Sequence, residues 1–221
     1  MRKKLAERLI SGFNPNTGVF PHVLPEGSGF RSHVSCFADM VYPIQALAAY
    51  YKLSGDKKAI DAAIRCADRI CELQGPAGQW WWHYDRRTGN VIEGYPVYSV
   101  HQDAMAPMAL FALQDAGGPD CSASVYKGLR WIVHAPEIDG PLIDTRAGVV
   151  WRKVTHREPG KLCRYLQAAA SRLHPSLRVP ALSMLFPPVA IDFECRPYHL
   201  GWLLHAFPEG RACVKEVLAR N

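Results

Sequence analysis

Two stretches of this chain are apolar on every side of a helix, and that property limits what the fold can be. Ile44, Ala46, Leu47, Ala48 and Ala49 belong to the first, and Met108, Ala109, Leu110, Phe111 and Leu113 to the second. A helix with no polar face has to be covered all round. The segment after the first is different: in KKAIDAAIRCADRICEL, Ile60, Ala63, Ile64, Ala67 and Ile70 form one stripe with Lys, Asp and Arg opposite, the pattern of an outer helix. The alternation returns in YHLGWLLHAF, nearly all apolar, followed by the amphipathic EGRACVKEVLA. KLCRYLQAAASRL adds a stripe through Leu162, Tyr165, Leu166, Ala169 and Leu173, and MRKKLAERLISGF reads as an amphipathic helix with Leu5, Leu9 and Ile10 inward. The chain is therefore expected to be all-α, an array of about four helical hairpins with short β-hairpin loops on one face. A double-layered (α/α) toroid fits this pattern, and a plain helical bundle or an α-solenoid shares much of it.

The two apolar helices begin alike. Asp39 stands four residues before Pro43, as Asp103 does before Pro107. Asp accepts hydrogen bonds from free amides at a helix start and suits its positive end, while Pro is tolerated only near that end. Both carboxylates are thus placed at helix entrances. A turn pattern also repeats, in NPNTGV from Asn14, DRRTGN from Asp85 and DTRAGV from Asp144. Asn or Asp opens each turn with a side-chain hydrogen bond, and Gly closes it with the positive φ a reversal needs.

Composition excludes several classes. Hydrophobic residues make up 48% and charged residues 21%, values of a globular chain, and no polar stretch divides residues 1–221, which read as one domain. No apolar run approaches the roughly 20 residues of a membrane span. Lys3, Lys4, Glu7 and Arg8 interrupt the N-terminal segment, so it does not read as a signal peptide. Seven cysteines without a CxxC pair argue against a disulfide framework and for a reducing cytoplasm. The net charge is +6, but Lys and Arg are scattered rather than massed on one face, so nucleic acid is not the expected partner.

The stretch from Phe37 to Asp85 resembles a repeat of the α/α-toroid enzymes, the six-hairpin glycosidases and the terpenoid cyclases. YKLSGDKKAIDAAIRCADRI is similar to the helix, Gly-Asp turn and helix of six-hairpin sugar enzymes such as the unsaturated glucuronyl hydrolases and acylglucosamine epimerases. Gln74, Gly78 and Trp80 match the Q-x-x-x-G-x-W motif of triterpene cyclases. The acidic DxDD motif of those cyclases is absent, since Met40, Val41 and Tyr42 follow Asp39. The resemblance implies a substrate cavity at the end of the array where inner helices begin, and with about four hairpins instead of six, an open arc or one completed by a second copy.

The loops assigned to that end are rich in rings and ionisable groups. QWWWHYD supplies Trp80, Trp81, Trp82, His83 and Tyr84, and YPVYSVHQD supplies Tyr98 and His101 before Asp103. Aromatic faces stack on sugar rings or shield cations; alternatively the Trp run is a strand that plugs the core, and on an extended segment the three cannot all face one way. Asp39 and Asp103 are candidates for paired acid/base work, with simple capping as the alternative. His101 is a candidate second base or a buried structural residue. ECRPYHLGW places Arg196, Tyr198 and His199 at another entrance, Arg196 serving a substrate carboxylate or pairing internally with Glu194. Trp151 and Arg152 follow the third turn toward the same rim. Cys36 and Cys195 are read as packing residues, and no His spacing suggests a metal site or other cofactor. The function expected is a carbohydrate-active enzyme of hydrolase, lyase or epimerase type, with a small-molecule or oligosaccharide substrate. The alternatives are a terpenoid cyclase or prenyltransferase-like enzyme and a non-catalytic saccharide-binding or scaffold protein.

Overall fold

The computed structural model describes residues 1–24, 29–156 and 161–208, with the backbone only at 180, 181 and 183. About half of these residues are helical. Helix α1 (Arg2–Gly12) leads into strand β1 (Val34–Cys36), then α2 (Ala38–Ser54), α3 (Lys57–Glu72) and β2 (His83–Asp85). A π-helical turn (His101–Met105) opens α4 (Ala106–Gln114), followed by α5 (Ser122–Val133), β3 (Ile143–Asp144), β4 (Val149–Val150) and β5 (Lys153–His156). Helices α6 (Leu162–Leu173) and α7 (Pro180–Leu185), strand β6 (Pro188–Asp192) and helix α8 (Tyr198–Ala206) complete the order.

The helices pair as their sequences direct. Gly55, at φ 69°, ends α2 and sends its N–H to Tyr51 O, and Asp56 begins α3 by accepting the Lys58 N–H at 3.0 Å. α3 then lies along α2 and buries Ile60, Ala63, Ala67 and Ile70. α4 packs on α2 and on α5, and α8 packs on α4 and the π-helical turn. Pro107 follows that turn at the start of α4: it has no N–H to donate, and its ring crowds the carbonyl four residues back. The wider spacing, in which the Ala106 N–H reaches His101 O, relieves the crowding.

All three repeated turns form as their residues require. Gly18, Gly89 and Gly148 have φ of 70°, 73° and 66°. The side chains of Asn14, Asp85 and Asp144 each accept the N–H two residues on, at 3.1, 2.9 and 3.0 Å. Each closes a small antiparallel ladder, Asn14 with Val19, Tyr84 with Val91 and Asp144 with Val149.

Several expectations are corrected. The chain is about half helical and not all-α, because β1 pairs with β2 and β5 with β6, strands far apart in sequence rather than hairpins. α4 is covered all round, yet α2 leaves Tyr42, Ala46, Ala49 and Leu53 exposed. Leu5 of α1 also faces out, whereas Leu9 and Ile10 pack against the core. The stripe read on α6 points to solvent, with Leu162, Tyr165, Leu166 and Leu173 exposed; its inward face is instead Cys163, Gln167, Ala168, Ala170 and Ser171. Polar bonds select that face, since the Ser171 hydroxyl meets His33 at 3.0 Å and Gln167 accepts the Val179 N–H at 3.1 Å. In α8 only His199 and Ala206 are buried. The segment EGRACVKEVLA lies outside the described residues. Among the described residues no helix is long and apolar enough to cross a membrane.

Candidate functional site

The β1–β2 pairing sets Cys36 opposite His83 and brings the tryptophan run against the start of α2. The Phe37 N–H donates to Trp82 O at 3.0 Å, and the Trp82 N–H to Tyr95 O at 2.8 Å, so the extended run is fixed on both sides. Its side chains alternate. Trp80 is fully buried and stacks on Phe37 with ring centres 5.7 Å apart. Trp81 points the other way and donates its indole N–H to Leu73 O. Trp82, half-buried, stacks on Tyr98 at 4.8 Å and meets the edge of His101 at 4.9 Å. Tyr84 is buried within the core, where desolvation raises its phenol pKa.

The Q-x-x-x-G-x-W residues are spent on packing. Gln74 donates to Gly78 O and Ser124 O, both at 2.9 Å, and Gly78, at φ 104°, lets the chain run against Lys127 of α5. Gln102 completes the joint by accepting the Trp80 N–H at 2.9 Å and donating to Gly78 O and Gly128 O. Trp80 and Tyr84 therefore hold the frame, and of the tryptophan run it is Trp82 that joins the ring cluster beside His101.

That cluster meets a buried acid pair. Asp103, from the π-helical turn, accepts a 2.6 Å hydrogen bond from His199 Nε2 at the start of α8. Both side chains are about 95% removed from solvent. Burial raises the Asp103 pKa, with His199 opposing, and lowers that of His101 to about 4, the His199 charge adding a smaller push. His101 Nδ1 is buried without a hydrogen-bond partner among the described residues. Arg152 lies over the Tyr98 ring at 4.6 Å and also pairs with Glu194. Arg196 pairs with Glu194 at 2.6 Å, so the internal ion pair is the one formed. Trp151 stands edge-on to Phe193, at 5.1 Å, beside this group. Tyr98, Arg152, Arg196, Tyr198 and His199 line a cavity of about 10 Å³, room for about one water.

Asp39 has a different fate. Its Oδ2 accepts the Cys36 N–H at 2.7 Å, just ahead of the helix, and both oxygens meet His22 Nδ1, at 3.0 and 3.1 Å. Asp39 and Asp103 thus take separate partners. Tyr42, three residues after Asp39, directs its hydroxyl to Met105 Sδ at 3.9 Å. Its pKa is raised by burial and, less, by Tyr198 and Cys36. His22, Cys36 and Asp39 bring one ligand atom each to within 4.8 Å of one another, so Cys36, read from sequence as packing, stands among potential metal ligands.

Sequence reasoning missed a second cavity. It measures about 310 Å³ and is lined by Glu93, Tyr95, His156, Gln167, Arg178 and Leu182 among others. Glu93 is bonded to His83 Nδ1, and Arg31 lies 3.3 Å from the other ring nitrogen. The His156 ring stacks on Tyr95 at 3.7 Å. No local motif announces these residues; they are gathered by the β5–β6 pairing and α6, contacts between segments remote in sequence.

Comparison with known proteins adds no relative. The chain matches no family model, no curated protein and no solved structure.

Proposed function

We propose that the chain is an acid/base enzyme acting on a saccharide, with the Asp103–His199 pair handling the proton. The observation that carries this reading is the placement of that pair: His199 lines a cavity rimmed by Tyr98, Arg152 and Arg196, while Asp103 sits behind it. A carboxylate behind an imidazole fixes the ring's orientation and supports its protonated form. His199 then transfers the proton and Asp103 positions it, an exchange of the roles expected from sequence. Trp82 adds a half-buried ring beside the cluster, and Arg152 and Arg196, now paired with Glu194, suit a carboxylate-bearing sugar such as a uronic acid that takes the place of that partner. The cavity as it stands admits about one water, so a ring must displace exposed Arg196 and Tyr198 to enter.

The same reading treats α2, α4 and α8 as inner helices of an incomplete α/α toroid, with α3 and α5 outside them. The exposed apolar residues of α6 and α8 are then the edge that a second copy covers. The measurement is turnover of a saccharide panel that includes uronic acid-containing oligosaccharides. Asp103→Asn should lower kcat by about 100-fold or more, within the range for loss of acid/base catalysis. Unchanged turnover in that variant, or no turnover of any saccharide by the native chain, refutes the assignment.

A second reading has its own observation, the 310 Å³ cavity with Glu93 and His83 at its wall. Its size suits a small ligand. If saccharide binding or turnover falls with Glu93→Gln and not with Asp103→Asn, this cavity is the site.

A further inference from the structure

We propose that His22, Cys36 and Asp39 form a zinc site, separate from the Asp103–His199 pair. The three side chains come from different places: a loop, the last residue of β1 and the first turn of α2. Thiolate, imidazole and carboxylate are the donor set zinc takes, and three protein ligands leave a fourth position open to water or a substrate atom. With Cys36 and Asp39 ionised and His22 neutral, the two negative charges balance the dication.

The frame is built to hold these ligands. Cys36 is fixed by its pairing with His83, and buried Phe37 between the two helix-start ligands donates its N–H to Trp82 O. The loop bearing His22 is tied to the same strand, because the Ser35 hydroxyl donates to Phe20 O at 2.6 Å. The Cys36 N–H already bonds Asp39 Oδ2 and would orient the carboxylate, leaving Oδ1 for the ion. Tetrahedral zinc with ligands at about 2.0–2.3 Å holds them about 3.3–3.8 Å apart. The present separations are all within 4.8 Å, His22 Nδ1 already lies 3.0 Å from Asp39, and the His22 side chain is 64% exposed and has room to adjust.

An exposed His–Asp contact alone would be a surface ion pair of little worth. The Cys36 thiol also hydrogen-bonds Asp39, so three different zinc donors meet at one point. On binding, Cys36 loses its proton to solvent, and the His22 proton now facing Asp39 moves to Nε2, freeing the Nδ1 lone pair for the metal.

The test is metal binding by the reduced full chain, measured for Zn²⁺ by competition with a chromogenic chelator and for Co²⁺ by absorption. The native chain should bind one equivalent and give the intense visible bands of tetrahedral Co²⁺ with a thiolate charge-transfer band. Cys36→Ser should abolish that band and weaken Zn²⁺ by about 100-fold or more, beyond the loss of an outer-shell partner. His22→Gln changes an exposed side chain, and should weaken Zn²⁺ by about tenfold or more. No Zn²⁺ retained at micromolar concentration overturns the proposal. So does a thiolate band that survives Cys36→Ser, which would assign the metal to another cysteine, or affinity unchanged in His22→Gln. None of these readouts depends on turnover, so the acid/base reading and the zinc site fail independently.

Discussion

Replacing His101 with Gln tests whether the ring cluster is as dry as its geometry requires. The imidazole is enclosed by Phe37, Trp82 and Tyr98, its Nδ1 lacks a partner among the described residues, and burial lowers its pKa from 6.5 to about 4. The folded chain thus holds this ring neutral where the unfolded chain protonates it. Unfolding takes up a proton between those two values, so stability falls as pH drops below 6.5 and the loss is complete near 4. From about pH 7 to about pH 4.5 the linkage relation gives a loss of about 2 kcal/mol from this one residue. His101→Gln has no such proton to take up. Urea unfolding of both proteins at the two pH values isolates the contribution, because His33, whose pKa burial also lowers, is common to both and cancels. The native chain should lose about 2 kcal/mol more than the variant on acidification, worth roughly 4–8 °C in Tm. A double difference below about 0.5 kcal/mol would mean that the ring is hydrated, and the dry cluster around Asp103 would fall with it.

Two further substitutions probe the joint that holds the cluster. Gly78→Ala places a Cβ 2.0 Å from Lys127 O at φ 104°, so backbone must move, and a loss of about 3 kcal/mol or more in urea unfolding is expected. Gln102→Met keeps the shape but leaves the buried Trp80 N–H without its acceptor, which should cost about 1–3 kcal/mol and lower Tm by roughly 2–12 °C; an unchanged Tm would mean that water replaces the amide.

Local chemistry was the part of this fold that could be read from residues. The Asn/Asp and Gly positions of three turns, the Gly55–Asp56 junction and the stripe of α3 each depend on neighbours within a few residues, and each formed as read. Failures came where a distant partner decides. An apolar stripe marks a helix face but not whether anything lies against it, and α6 buries Ser171 and Gln167 instead because His33 and Val179 present polar groups there. β1 and β2 have three residues each, too few to show alternation, and without their pairing the direction of Trp80, Trp81 and Trp82 was undetermined. The Glu93 cavity was illegible for the same reason.

The two aspartates show how equal sequence placement yields unequal chemistry. Both stand four residues before a proline at the start of an apolar helix. At Asp39 a strand ends just upstream, so the Cys36 N–H is free to be capped, and one carboxylate oxygen is spent on it. At Asp103 the neighbouring upstream amides are occupied, Ser99 N–H by Arg152 O and those of His101 and Gln102 by Tyr98 O. The Asp103 backbone N–H also reaches the carboxylate, yet a carboxylate buried this deeply needs a stronger partner or must stay protonated. His199 supplies it from α8, a segment that only the tertiary fold brings near. The π-helical turn, which α2 lacks although Pro43 holds the same spacing, therefore sets Asp103 where its partner comes from α8, and this turns a cap position into a contact between two helices. It follows that loss of the Asp39 carboxylate should fray a helix start, whereas loss of Asp103 should loosen the seating of α8 and the orientation of His199.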